Sequence, residues 1–157
     1  MATVELSFSA LPAHVRTARL VAAAVARRSG VDEAVLDEVR LAVGEACSRA
    51  VDMHRRHCPH RPVLVTLTDE SRSFQVVVTD EAPADATPDG TPHGGPLSGP
   101  ALDLDDLAGR ADLDLDVVPP GVGLAVISGL VDDVSVEHGA GPGGAGVAVR
   151  MTWPTSG

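Results

Sequence analysis

The chain has 157 residues, 44% hydrophobic and only 2% aromatic, with a formal net charge of −10; that length suits one domain, residues 1–157, whose core is built from Ala, Val and Leu. The acidity excludes the clustered cations that nucleic acid requires, and no apolar run approaches the ~20 residues of a membrane span. The opening MATVELSFSA has no basic region followed by an apolar one, so it is not a signal peptide, and a cytoplasmic protein is expected.

Residues 3–9 alternate, with Val4, Leu6 and Phe8 on one face, and predict a strand. Leu11-Pro12 ends it, and Pro12 suits the first turn of a helix. That helix is expected to reach about Arg28, with Val15, Ala18, Ala22 and Val25 inward, until Ser29-Gly30 stops it. Asp32 then caps a second helix running to about Met53. Within it Leu36, Val39, Val43, Ala46, Cys47 and Ala50 recur at spacings of three and four, the stripe of a helix with one buried face. Glu45 and Arg49 lie one turn apart on a face read as away from that stripe, where they fit an i,i+4 ion pair. Cys47 is on the stripe and reads as a small core residue. The two cysteines make no disulfide framework.

Residues 54–62 read as a surface loop. Its His54, His57, Cys58 and His60 match no zinc spacing closely. Residues 63–68 and 74–80 alternate, and Glu70-Ser71-Arg72 is short enough for a hairpin between them. From 81 to 120 Pro, Gly and Asp dominate, and a lid is expected there, mobile or ordered only by a partner. Leu102, Leu104, Leu107, Leu113 and Leu115 fit one short helix on it. Residues 121–131 predict a helix opened by glycines. Strands at 134–137 and 147–153 follow, joined by the Gly-rich turn 139–146. Strand, two helices, two strands, long loop, helix, two strands: hairpins in this order predict a mostly antiparallel sheet with helices on one face, a two-layer α+β sandwich. Basic residues gather at 16–28 and 49–61 and acidic ones at 80–116, an asymmetry able to orient a charged protein partner.

The run VRLAVGEACSRAVDMH, residues 39–54, resembles the N-box helix of the Bergerat-type (GHKL, histidine kinase-like) ATPases, most closely that of the bacterial anti-sigma-factor serine kinases. There a Glu activates a water or hydroxyl, and an Asn one turn later ligates Mg²⁺. Glu45 matches the Glu; Arg49 stands where the Asn would be. A guanidinium has no acceptor and cannot ligate a metal. The resemblance continues through the opening residues 11–51 and through GVGLAVISGLVDDVSVE, residues 121–137, which is similar to the family's second glycine box. It implies that Gly121 and Gly123 sit at a helix N-terminus under nucleotide phosphates, where exposed N–H groups and the dipole favour anions. Asp80 matches the Asp that accepts a hydrogen bond from adenine. The glycines that should follow it are Ala82 and Ala84 with Pro83 between them, and Ala and Pro restrict the backbone that glycine frees.

What the resemblance implies is a regulator that switches between a sigma factor and an anti-anti-sigma protein, with ATP and Mg²⁺ binding weak or lost. An active serine kinase with Glu45 as its base is the alternative, and a domain sensing another small molecule is a third. In each case Arg49, Asp80, Gly121 and Gly123 would line the cofactor site, no metal-ligating residue is assigned, and a homodimer is allowed.

Overall fold

A computed structural model describes residues 2–82, 127, 131, 133–139 and 144–156. The expected short helix at 102–115 and nearly all of the expected lid lie outside these residues. So does the helix at 121–131, except for Ile127 and Val131. Val131 N–H donates to the Ile127 carbonyl at 2.9 Å, one helical turn, and both side chains are buried.

Five strands, β1 (Ala2–Phe8), β2 (Val63–Glu70), β3 (Ser73–Thr79), β4 (Asp133–His138) and β5 (Val147–Pro154), form one sheet in the order β1-β2-β3-β5-β4. Every neighbouring pair is antiparallel. β2 and β3 are joined at Ser71-Arg72, with Glu70 opposite Ser73. This register puts Val65, Val78 and Val149 in one row and Leu67, Val76 and Met151 in the next. All six are buried, whereas Thr66, Gln75 and Thr152, one position out of phase, are not. A period of two on each strand therefore sorts apolar residues to one face.

Helices α1 (Pro12–Arg28) and α2 (Leu36–His57) lie together on that face, packed against each other. Ala18, Ala22 and Ala26 of α1 and Ala42, Ala46 and Ala50 of α2 are all within the core, so small side chains let the helices approach closely. Pro12 opens α1 without an N–H to satisfy. Asp32 accepts from Ala34 N–H at 2.9 Å and caps a 3₁₀ turn, Glu33–Val35, that leads into α2. The core holds few rings. Phe74 and Trp153, directly opposite on β3 and β5, stack at 6.1 Å. The Trp153 indole N–H donates to Glu38 at 3.0 Å and fastens β5 to α2.

The fold is thus the two-layer α+β sandwich the element order predicts, and strand and α1 boundaries fall within a few residues of expectation. α2 departs from it. It runs to His57, so residues 54–57 are helix and not loop. The apolar stripe hides this, because beyond Met53 it is continued by a polar residue, His54, which is nevertheless fully buried. Cations in this last turn, including Arg56 paired with Asp52 at 3.3 Å, suit the negative end of the helix. Val25 is only partly buried but packs against the core, beside the fully buried Ala22 and Ala26. Among the described residues, no helix is long and apolar enough to cross a membrane.

Candidate functional site

The residues with chemical potential converge where α2 passes the end of β3. Asp80 follows β3 directly, and its N–H still reaches the sheet, donating to the Val147 carbonyl at 3.0 Å. Its carboxylate is 1% exposed. One oxygen, Oδ1, accepts from the Ala82 N–H at 3.1 Å; the other, Oδ2, accepts from Arg49 Nη1 at 2.9 Å. The Arg49 side chain is itself only 14% exposed. The cation at the N-box position therefore reaches across to the acid that follows β3, and the i,i+4 pairing with Glu45 read from the sequence is not what the fold selects.

Glu45 is also not on an outward face. It is 4% exposed. Burial raises its carboxyl above the ordinary range, because desolvation penalises the charged form; the charge of Arg19 on α1 partly lowers it. Gly44 makes that approach possible. A Cβ there would meet Arg19 Cδ at 2.8 Å and Nε at 3.1 Å, so the arginine stem lies where a side chain would otherwise stand. A buried carboxyl with a raised pKa is suited to hold or accept a proton.

Residues 80–82 are braced from three sides. His54, in the last turn of α2, accepts the Glu81 N–H on Nε2 at 2.8 Å and donates from Nδ1 to the Arg61 carbonyl at 2.8 Å. Both partners together fix the tautomer. Arg61 also pairs with Glu81 at 3.3 Å. From the sheet side, Gly146 N–H donates to the Ala82 carbonyl at 2.8 Å. Gly146 has φ 83° and lies so close to the Asp80 backbone that a Cβ would overlap the Asp80 carbonyl oxygen. Only glycine fits both conditions. Cys58 borders this cluster. Its thiol is raised by burial and by the charges of Asp80 and Glu81, while Arg61 lowers it.

Of the residues singled out by sequence, the fold brings Arg49 and Asp80 into contact and leaves Glu45 one turn away on the same helix. Gly121 and Gly123 lie outside the described residues. Sequence reasoning placed His54 in a surface loop, Arg19 only among the basic residues of the first helix and Gly146 only in a turn, and missed what each does at this site. A stripe extended by one more step from Cys47 and Ala50 would have found His54. Arg19 and Gly146 act through tertiary contacts that leave no spacing signal.

Among the described residues the donors at this site do not suit Mg²⁺. A guanidinium takes the place of the expected amide oxygen, and both Asp80 oxygens already accept hydrogen bonds from the protein. Among the described residues, no group of three or more His, Cys, Asp or Glu is placed to hold a metal ion.

Residues 8–153 match the family described as the histidine kinase-like ATPase domain. The fold is similar to the crystal structure of the RsbU and RsbW domains of Rv1364c from Mycobacterium tuberculosis, with a TM-score of 0.60 at 15% identity. That alignment covers 100% of this chain and 34% of the other, so this chain spans about a third of the length of the chain it matches. At such identity the likeness concerns the fold. Among curated protein sequences, none matches.

Proposed function

The chain belongs to the histidine kinase-like ATPase domain family, and within it we propose a cytoplasmic partner-switching regulator that binds a sigma factor, an anti-anti-sigma protein, or both, without depending on Mg²⁺-ATP. Family membership implies a nucleotide-binding ancestry. The observation that carries the reading is the Arg49–Asp80 ion pair: the N-box position holds a cation, and that cation is tied to the acid after β3. The described residues keep the sandwich fold, while a cation at the N-box position argues against metal-assisted transfer. Such a protein retains surfaces, and α1 offers one. Arg16, Arg27 and Arg28 are exposed on it, and Leu20 is 58% exposed. Charges on a rim of this kind steer association and add specificity, so binding should weaken with salt.

The test is affinity capture from the native cell extract, with nucleotide removed and with Mg²⁺-ATP added. Recovery of a sigma factor or an anti-anti-sigma domain in both conditions is the expected result. Recovery of neither would end the proposal.

One observation favours the alternative, an ATP-dependent serine kinase acting on the anti-anti-sigma partner: Glu45 remains, buried and with a raised carboxyl, as a base would be. That reading needs a metal site which the described residues do not supply. Transfer of radiolabelled phosphate to a purified partner by the wild-type chain would establish it in place of the first.

A further inference from the structure

We propose that Arg49 is a built-in ligand of Asp80, a stopper that closes this carboxylate to any incoming N–H donor such as the amino group of a purine base. The inference rests on the regulator reading only in that both concern the same pocket; it addresses which ligands the pocket refuses.

A buried carboxylate can recognise a ligand only where the ligand can reach one of its lone pairs, and Asp80 is 1% exposed. Asp80 has Oδ1 on the Ala82 N–H and Oδ2 on the Arg49 guanidinium. Neither bond is loose. Ala82 is held in turn by Gly146, and its neighbour Glu81 by His54 and Arg61. Arg49 is largely buried, so its charge has little water to return to if displaced. Because the carboxylate is 1% exposed, a ligand that offers one neutral N–H to Asp80 reaches it only in the place of the Arg49 guanidinium, breaking a charge-assisted bond and stranding a cation. The exchange is unfavourable, because a charge-assisted bond is the stronger of the two. Removing the cation reverses the balance. Asp80 then has one unsatisfied, desolvated oxygen aimed where Arg49 stood, and a ligand amino group restores its partner.

The experiment uses adenosine and inosine, without metal or phosphate, so that base recognition is read apart from anything lost at a metal site. Inosine carries an oxygen where adenosine carries the amino group. Calorimetric titration of the wild-type chain is expected to show no adenosine binding tighter than millimolar. Arg49→Asn, whose shorter side chain carries no charge, is expected to bind adenosine about tenfold more tightly than inosine, the discrimination one hydrogen bond provides. Micromolar adenosine binding by wild type, or no preference for adenosine in Arg49→Asn, overturns the proposal. Should Arg49→Asn not fold, the wild-type amide resonances of Asp80 and Ala82 decide it: they stay in place on adding adenosine if the stopper holds, and shift if it does not. None of these results depends on whether a sigma factor or its antagonist is captured, so the stopper and the regulator reading can fail separately.

Discussion

The imidazole of His54 joins two carbonyl-and-amide partners that are far apart in the chain: the Arg61 carbonyl and the Glu81 N–H, each at 2.8 Å. The last turn of α2 is thereby bonded both to the loop that follows it and to the segment leaving β3. His54 is fully buried, so its two ring nitrogens have no water to fall back on, and these two bonds satisfy both. His54→Leu keeps the volume roughly and removes both partners. A loss of about 1–3 kcal/mol is expected, from two hydrogen bonds removed. Urea denaturation at neutral pH measures it, and a loss under half a kcal/mol would contradict this account.

The Arg49–Asp80 pair makes a sharper prediction about order of mutation. Removing Arg49 alone leaves a carboxylate that is 1% exposed without its cation. Arg49→Leu should cost about 3–5 kcal/mol, while the double change Arg49→Leu with Asp80→Asn should recover much of it, since no buried charge is then left alone. A double-mutant cycle in denaturant reads this directly. Additive effects would mean the two side chains do not interact in solution.

Glu45 supplies a pH dependence. Its carboxyl is raised, chiefly by burial and partly offset by Arg19, so the folded chain holds this proton more tightly than the unfolded one. Its stabilising contribution is full below the unfolded carboxylate value and is lost as pH rises through the raised one. Glu45→Gln, which cannot ionise, should therefore gain stability over wild type as pH rises through that window, and the two should converge in acid. Thermal melts from acid to neutral pH check the sign: a gap that closes with rising pH would be the wrong outcome.

The two thiols should differ in reactivity. Cys47 is fully buried and pushed up to about 12 by desolvation, so almost no thiolate exists at neutral pH. Cys58 is partly exposed. Alkylation of the native protein with iodoacetamide should label Cys58 first, with Cys47 protected until the chain unfolds. Mass spectrometry of the labelled peptides distinguishes the two, and equal labelling would show that the core around α2 opens readily.

Gly146 should tolerate nothing larger. Its left-handed φ alone would cost an alanine about 1–2 kcal/mol, and the added Cβ would also overlap the Asp80 carbonyl. Gly146→Ala is expected to lose more than that figure in chemical denaturation, because the bond from Gly146 N–H to Ala82 must shift as well.

How much of this was legible before folding differs between the sheet and the site. Period two in β1, β2, β3 and β5, period near four in α1 and α2, and turns at Ser71-Arg72 and Gly139 each reflect local geometry that any chain of this pattern obeys. The sequence therefore determined the layer architecture, the buried stripe from Leu36 to Ala50, and the resemblance that residues 8–153 confirm as family membership. The same resemblance also marked Glu45, Arg49 and Asp80 as the residues to watch. What the sequence could not determine was pairing. Arg49 had a carboxylate one turn away on its own helix, and local reasoning allowed that pair; the packed sandwich instead turns Glu45 inward toward Arg19 and brings up Asp80, 31 positions on. His54 likewise carried a loop reading until burial gave both its nitrogens a partner. Local sequence decides which atoms share a helix face or a strand face. Which desolvated charges meet is decided only when two layers close, because an ion pair or a shared imidazole is fixed by the distance between elements, and no periodicity within one element encodes that distance.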